Sequence, residues 1–249
     1  GTELSVWLMD ALAAWTGHWR SPLPTAINGA FALLALTVLL LPSLPFPRRL
    51  LPLLLLPWLC QRPQPLPDGE WQLVAFDVGQ GLALAVRTRE HLLIYDTGPS
   101  WPGDSMARRI VVPWLARQGL TPDRIIISHG DNDHAGGADA LAGMAPVLSG
   151  ESSRVPDSRP CNAGQQWQWD GVAFSLLWPR RGVRPGNESS CVLHVAGADR
   201  SLLIPGDIGK QSEYRLLGEL PPTDLLVVPH HGSNSSTSAA LLRQLRPAY

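Results

Sequence analysis

Three apolar stretches of this chain each run into residues that bind cations or carry protons, and that repetition narrows what the chain can fold into. Arg124 to Ile127 leads into Ser128-His129-Gly130-Asp131-Asn132-Asp133-His134. Leu202 to Ile204 leads into Pro205-Gly206-Asp207, and Leu225 to Val228 into Pro229-His230-His231-Gly232-Ser233. Short apolar runs bounded by turn residues read as buried strands. Charged groups at the end of a buried strand must be paired or must hold a cation, since an unpaired charge there is costly. Asp131 and Asp133 would otherwise repel each other, so a divalent ion is the simplest partner for the run. If the three strands lie side by side, their ends converge on one edge of a sheet, where loops on a rigid scaffold carry function.

The chain around these runs alternates strand and helix patterns. Strands are expected at 71–76, 82–87, 91–95, 124–127, 172–178, 192–195, 201–204 and 225–228, and helices at 105–118, 135–145 and 236–245. Residues 150–166, rich in Ser, Pro, Arg and Gly, read as a long loop. Strands outnumber helices and the two kinds interleave, which suits an α/β chain with two sheets sandwiched between helices. Asp96 ends an apolar strand before Thr97-Gly98 and reads as an acceptor that orients a ligand His. Asp77, before Val78-Gly79, reads as a turn cap. The loops Gly79-Gln80-Gly81 and Gly232-Ser233-Asn234-Ser235 offer exposed N–H groups, and the second precedes a helix start, which suits an anion such as phosphate.

Residues 1–64 differ in kind, being rich in Leu, Pro, Trp and Ala. Ile27 to Leu41 is apolar or small apart from Asn28 and Thr37, and with its flanks approaches the roughly 20 residues of a spanning helix. Leu50 to Cys60 is shorter and carries Pro52 and Pro57, so it reads as a short or re-entrant segment. A buried hairpin of a soluble domain is the competing reading. No basic region precedes the first run as a secretory signal requires. If both segments cross, Arg48 and Arg49 mark the cytoplasmic turn and the rest of the chain emerges on the outer face.

A net charge of −1 argues against an extended basic face of the kind that dominates non-specific DNA affinity. Any nucleic-acid contact must be local, and Arg108, Arg109, Arg180, Arg181 and Arg184 with Trp178 are candidates, although solvated basic loops are common. Cys161 and Cys191 either pair, in an oxidising compartment, or remain buried thiols.

The ordered set Phe76-Asp77-Val78-Gly79-Gln80-Gly81, Tyr95-Asp96-Thr97-Gly98, His129-x-Asp131-x-Asp133-His134, Gly206-Asp207 and His230-His231-Gly232-Ser233 resembles the metallo-β-lactamase superfamily. Asp131 stands where most members have a second His, and this variant is similar to the C-terminal domain of the ComEC family of competence DNA-uptake proteins. The likeness covers roughly residues 70–249. It implies a four-layer αββα sandwich at 65–249, after residues 1–64 as the end of a membrane-embedded channel. The family continues beyond a segment like Leu245 to Tyr249, so the chain is expected to be cut short at its C-terminus.

That resemblance implies one or two divalent metal ions. His129 and Asp131 would serve the first, Asp133 and His134 the second, Asp207 would bridge, and one of His230 and His231 would close the shell. Asp133, His134 and Asp207 are the expected catalytic residues, with Gln80, Ser233, Asn234 and Ser235 meeting substrate. Members with the commoner pattern bring another His before the Gly-Asp, and here Asn187 to Cys191 contains none. His194 lies nearby, on a strand whose alternation leaves its direction open. Oxygen-rich ligands make manganese or magnesium as suitable as zinc. The activity implied is DNA phosphodiester hydrolysis of the strand not taken up, single-stranded DNA and the remaining channel and competence machinery being the partners. The setting implied is the bacterial inner membrane, with the domain on its outer face. The alternatives are a hydrolase of a small ester or amide, with a slot lined by Trp167, Trp169 and Trp178, a DNA-guiding module without catalysis, and a degenerate domain with one structural ion.

Overall fold

In a computed structural model the described residues are 26–40 and 65–249, and they fall in two units divided between Pro65 and Leu66. In the first unit, helix α1 spans Ala26–Leu40, 15 residues. At about 1.5 Å per residue it falls short of the roughly 30 Å of a hydrocarbon core, and no helix among the described residues is long and apolar enough to cross a membrane. The first expected span lies only partly within the described residues, since its flanks fall outside them. The second run, with Arg48, Arg49 and Cys60, lies outside them.

The second unit begins with β1 (Gln72–Ala75), β2 (Leu84–Arg87) and β3 (Leu92–Tyr95), then a small hairpin of β4 (Ser100–Trp101) and β5 (Asp104–Ser105). A π-helical segment, Ala107–Val111, runs into α2 (Val112–Gln118). There follow β6 (Arg124–Ile127), the single turn α3 (Asn132–Ala135), β7 (Val147–Ser149), β8 (Ser158–Pro160), β9 (Gln166–Trp169) and β10 (Val172–Trp178). The chain ends with β11 (Val192–Ala196), β12 (Ser201–Ile204), α4 (Lys210–Leu216), β13 (Leu225–Leu226) and α5 (Ala239–Leu245).

One sheet has the order β1-β2-β3-β6-β7-β8, and the other β13-β12-β11-β10-β9. Strand alternation decides how they stack. Leu93 and Tyr95 of β3 and Ile126 of β6 face Phe174, Leu176, Leu193, Val195, Leu202 and Ile204 of the second sheet in one buried cluster. Ile94, Ile125 and Ile127 point the other way, onto Val111, Leu115 and Leu141. Across the molecule, Val192 and Leu203 pack with Leu216, Leu241 and Leu245 of α4 and α5. The layers are thus helix, sheet, sheet, helix. Tyr95 ties the sheets by donating its hydroxyl to the Cys191 carbonyl at 2.6 Å, and a Cys161–Cys191 disulfide joins them at the same level.

Several local readings change. The helix expected at 135–145 is only α3 and a 3-10 turn at Ala138–Leu141. Gly136 and Gly137 separate the two turns at a point of close packing: a Cβ on Gly136 would meet Ser100 N at 2.5 Å, and one on Gly137 the Cβ of Ala107 at 2.4 Å. The expected 150–166 loop contains β8, an edge strand parallel to β7. The last strand stops at Leu226, and α4 has no counterpart among the expected helices.

Candidate metal centre

The ends of β3, β6 and β12 and the start of β11 meet at one edge of the sandwich, and their side chains form one connected network. His134, fully buried, is its hub. Its Nε2 lies 3.2 Å from Asp207 Oδ2, 3.1 Å from His231 Nε2 and 3.7 Å from Asp133 Oδ2. His231 Nε2 is also 3.4 Å from Asp133 and 3.5 Å from Asp207. Ligand atoms of Asp133, His134, Asp207 and His231 all lie within 4.8 Å of one another, the one such group of three or more among the described residues. Two imidazole nitrogens facing each other between two carboxylates need a cation or a proton between them. This donor set fits a divalent metal.

The fold aims each member. Asp96, fully buried and at φ 57°, accepts from Ser128 N at 2.6 Å, from Ser128 Oγ at 2.8 Å and from His134 Nδ1 at 2.7 Å. With Nδ1 bonded to a carboxylate, the other ring nitrogen is directed at the cluster. The backbone of His134 is fixed as well, since its carbonyl accepts from Thr97 N and Oγ1. Asp133 is held through its carbonyl by Leu82 N, an approach that leaves no space for a side chain at Gly81, where a Cβ would sit 2.3 Å from that oxygen. The backbone of Asp207 is anchored by its N–H, which donates to Ser190 Oγ at 3.0 Å. Asp77 caps its own turn, accepting from Gly79 N at 3.3 Å.

His129 and Asp131 form an adjoining pair, Nε2 to Oδ2 3.5 Å, with Asp131 also bound to Arg154 at 3.0 Å. The His129 ring is 4.4 Å from that of His134 and has Ser128 and Ser190 hydroxyls on Nδ1. The two adjacent histidines diverge, both at positive φ. His231 turns into the cluster. His230 instead meets Asn187 at 3.3 Å and Ser235 at 3.2 Å, with Asp207 at 3.9 Å. Of the expected substrate contacts, Gln80 and Ser233 line an open polar cleft of about 400 Å³ together with Asp133, Asn187, Asp207 and His231. Ser235 sits behind His230, and the Asn234 carbonyl accepts from Lys210.

Electrostatics match this geometry. Burial alone would lower the His134 pKa, but the Asp96 and Asp207 carboxylates outweigh it and carry it up to about 10. Burial opposes ionisation of Asp207, yet the hydrogen bond from His134 holds its carboxyl below the usual value. His129 is pushed down, first by burial and then by the charge on His134, which keeps it neutral as a ligand must be.

Two further candidate features lie outside the centre. His194 shares a strand face with Val192, away from the inter-sheet face of Leu193 and Val195, so it points away from the centre. No tryptophan slot exists at 167, 169 and 178: Trp178 is 1% exposed and donates to the Glu188 carbonyl, and Trp167 and Trp169 pack on Phe174 and Arg124. Sequence reading missed Glu151. Its buried carboxylate accepts from Gly130 N at 2.6 Å and Gly186 N at 2.8 Å, clamping the His129 loop to the loop before Asn187. Ser190 and Asn187, which meet His129 and His230, stand in a segment that contains no His.

A family model for the metallo-beta-lactamase superfamily matches residues 76–249. The chain is 40% identical over 187 residues to Recombination protein 2 of Haemophilus influenzae, covering 71% of this chain and 23% of that protein. It is 36% identical over 258 residues to Competence protein ComA of Neisseria gonorrhoeae, covering 98% and 35%. YcaI of Escherichia coli is 39% identical over 198 residues, covering 77% and 26%. The chain thus spans between about a quarter and a third of the length of these curated relatives. Among solved structures, the metallo-β-lactamase SMB-1 bound to 2-mercaptoethanesulfonate superposes with a TM-score of 0.50 at 14% identity, over 74% of this chain and 92% of that one. Its identity is low enough that the likeness speaks to fold alone. By the family match, its competence-protein relatives and the sandwich itself, the chain belongs to the metallo-β-lactamase superfamily, within the ComEC family of competence proteins.

Proposed function

We propose that this domain is a metal-dependent phosphodiesterase that hydrolyses DNA, in the setting of uptake where one strand is degraded. The observation that carries the reading is the Asp133, His134, Asp207 and His231 cluster on the floor of an open, polar cleft. These four residues would hold one divalent cation, manganese, magnesium or zinc. His129 and Asp131, an adjoining pair, would offer a weaker second position. When bound, the cation supplies a Lewis acid that lowers the pKa of water and offsets charge on phosphate oxygens. Asp96 keeps His134 in the ligating tautomer, and Ser190 fixes the Asp207 backbone. Gln80, Asn187 and Ser233 offer hydrogen bonds to a phosphodiester along the cleft, whose polar lining suits a nucleic-acid backbone better than a small apolar substrate.

Placement supports the same reading. A disulfide between Cys161 and Cys191 suits an oxidising compartment, hence the outer face of the bacterial inner membrane, beside the rest of the uptake channel. The test is cleavage of labelled single- and double-stranded DNA by the full chain in manganese, magnesium and zinc, beside Asp133→Ala and Asp207→Ala. Metal-dependent cutting lost in both variants is expected. Retained DNA binding with no cutting in any metal would select a DNA-guiding module instead.

A further inference from the structure

Among the described residues Trp101 is the one tryptophan in an exposed position, 39% accessible, and it stands beside the metal loop. Exposed large aromatic rings are few on a folded surface and mark contact sites more often than scattered aliphatics do. The hairpin that carries Trp101 is short, with two residues in each strand. Ser100 pairs with Ser105 and Trp101 with Asp104, closed by Pro102 and by Gly103 at φ 86°, residues that suit a type II turn. The hairpin is also pinned to the ligand run: Ser100 N and Oγ donate to Asn132 Oδ1 at 3.3 and 2.9 Å, and Asn132 Nδ2 donates back to the Ser100 carbonyl at 3.0 Å. Asn132 lies between Asp131 and Asp133. The ring therefore stands at a fixed place relative to the cleft.

Arg109 completes the arrangement. Its guanidinium lies 4.8 Å from the Trp101 ring centroid and is held there by Asp104, Nε to Oδ2 2.6 Å. Arg109 itself is 60% exposed, so its cationic edge remains available to a phosphate. An indole with an arginine stacked on it, both reaching solvent, is the composition of a single-strand binding platform.

We propose that Trp101 and Arg109 form a stacking subsite for a nucleobase of the single strand whose phosphodiester lies in the metal cleft. The proposal rests on the DNA reading above and adds where the strand is gripped. Stacking on an aromatic ring reads no particular base, so the subsite sets strand position without sequence preference.

The experiment is binding of labelled single-stranded oligonucleotides, by anisotropy, to the metal-loaded full chain and to Trp101→Ala, Trp101→Phe and Arg109→Gln. A second oligonucleotide series carries one abasic gap, moved position by position. Trp101→Ala is expected to weaken binding roughly five- to hundred-fold, with Trp101→Phe restoring most of it and metal content unchanged. At one or two positions the abasic gap should weaken the wild-type chain by a similar factor and leave Trp101→Ala indifferent. Equal abasic penalties in both proteins, or affinity unchanged in Trp101→Ala, would overturn the subsite while leaving metal-dependent cleavage intact. A wild-type chain that neither binds nor cuts single-stranded DNA would overturn both readings.

Discussion

Replacing Asp96 by Asn tests the metal centre without touching a proposed ligand. The substitution keeps the shape of the side chain and tolerates the left-handed backbone at φ 57°. What changes is the partner of His134. Asp96 Oδ2 now accepts from His134 Nδ1 at 2.7 Å, inside a network that also takes Ser128 N and Oγ. An amide oxygen can still serve Ser128 N, which directs the amide NH2 at His134 Nδ1. That nitrogen must then accept, so the ring proton moves to Nε2, the atom 3.2 Å from Asp207 and 3.1 Å from His231. A protonated Nε2 cannot ligate. Losing one charge-assisted hydrogen bond of about 1.5–3 kcal/mol corresponds to roughly 10- to 100-fold weaker metal binding, the range typical of residues that orient a ligand His. Competition against a chromophoric chelator measures it directly. Equal affinity in Asp96→Asn and wild type, with the fold intact by circular dichroism, would refute the tautomer argument.

Three further outcomes follow from the same geometry. In metal-free protein His134 titrates near 10 instead of 6.5, so the stability it lends is complete below pH 6.5 and is lost as pH rises through 10. The urea midpoint of the chelated protein should fall over that window and do so less in His134→Asn; a midpoint rising with pH would contradict this. The Cys161–Cys191 bridge, with a separation of 30 residues, should contribute about 3–4 kcal/mol through the unfolded chain, read as the difference between denaturation curves with and without reductant. Glu151→Ala strands the amides of Gly130 and Gly186, at about 1–3 kcal/mol each, and should lower both the melting temperature and metal affinity although Glu151 is no ligand.

The metal run is legible in the sequence because its residues are contiguous and their chemistry is extreme. Asp131, Asp133 and His134 need only the strand before them to be placed. Strands read well for the same reason: buried runs such as Ile125 to Ile127 have few other ways to hide. What stays hidden depends on contacts between distant residues. Choosing between His230 and His231 is not a matter of residue type but of two successive positive φ angles, which turn His231 into the cluster and His230 toward Asn187 and Ser235. Glu151 and Ser190 are inconspicuous in sequence and act by reaching groups far along the chain, Glu151 the amides of Gly130 and Gly186 and Ser190 the Asp207 amide and the His129 ring. Gly136 and Gly137 look like slack in a helix and are points of close packing against Ser100 and Ala107.

The most direct test of the account follows cleavage of labelled single-stranded DNA against the amount of metal bound, in one titration, for the wild-type chain and Asp207→Ala. The account predicts that the rate rises with occupancy of the first tightly bound ion and that Asp207→Ala loses both. Full occupancy without cleavage, or cleavage that survives in Asp207→Ala, would contradict it.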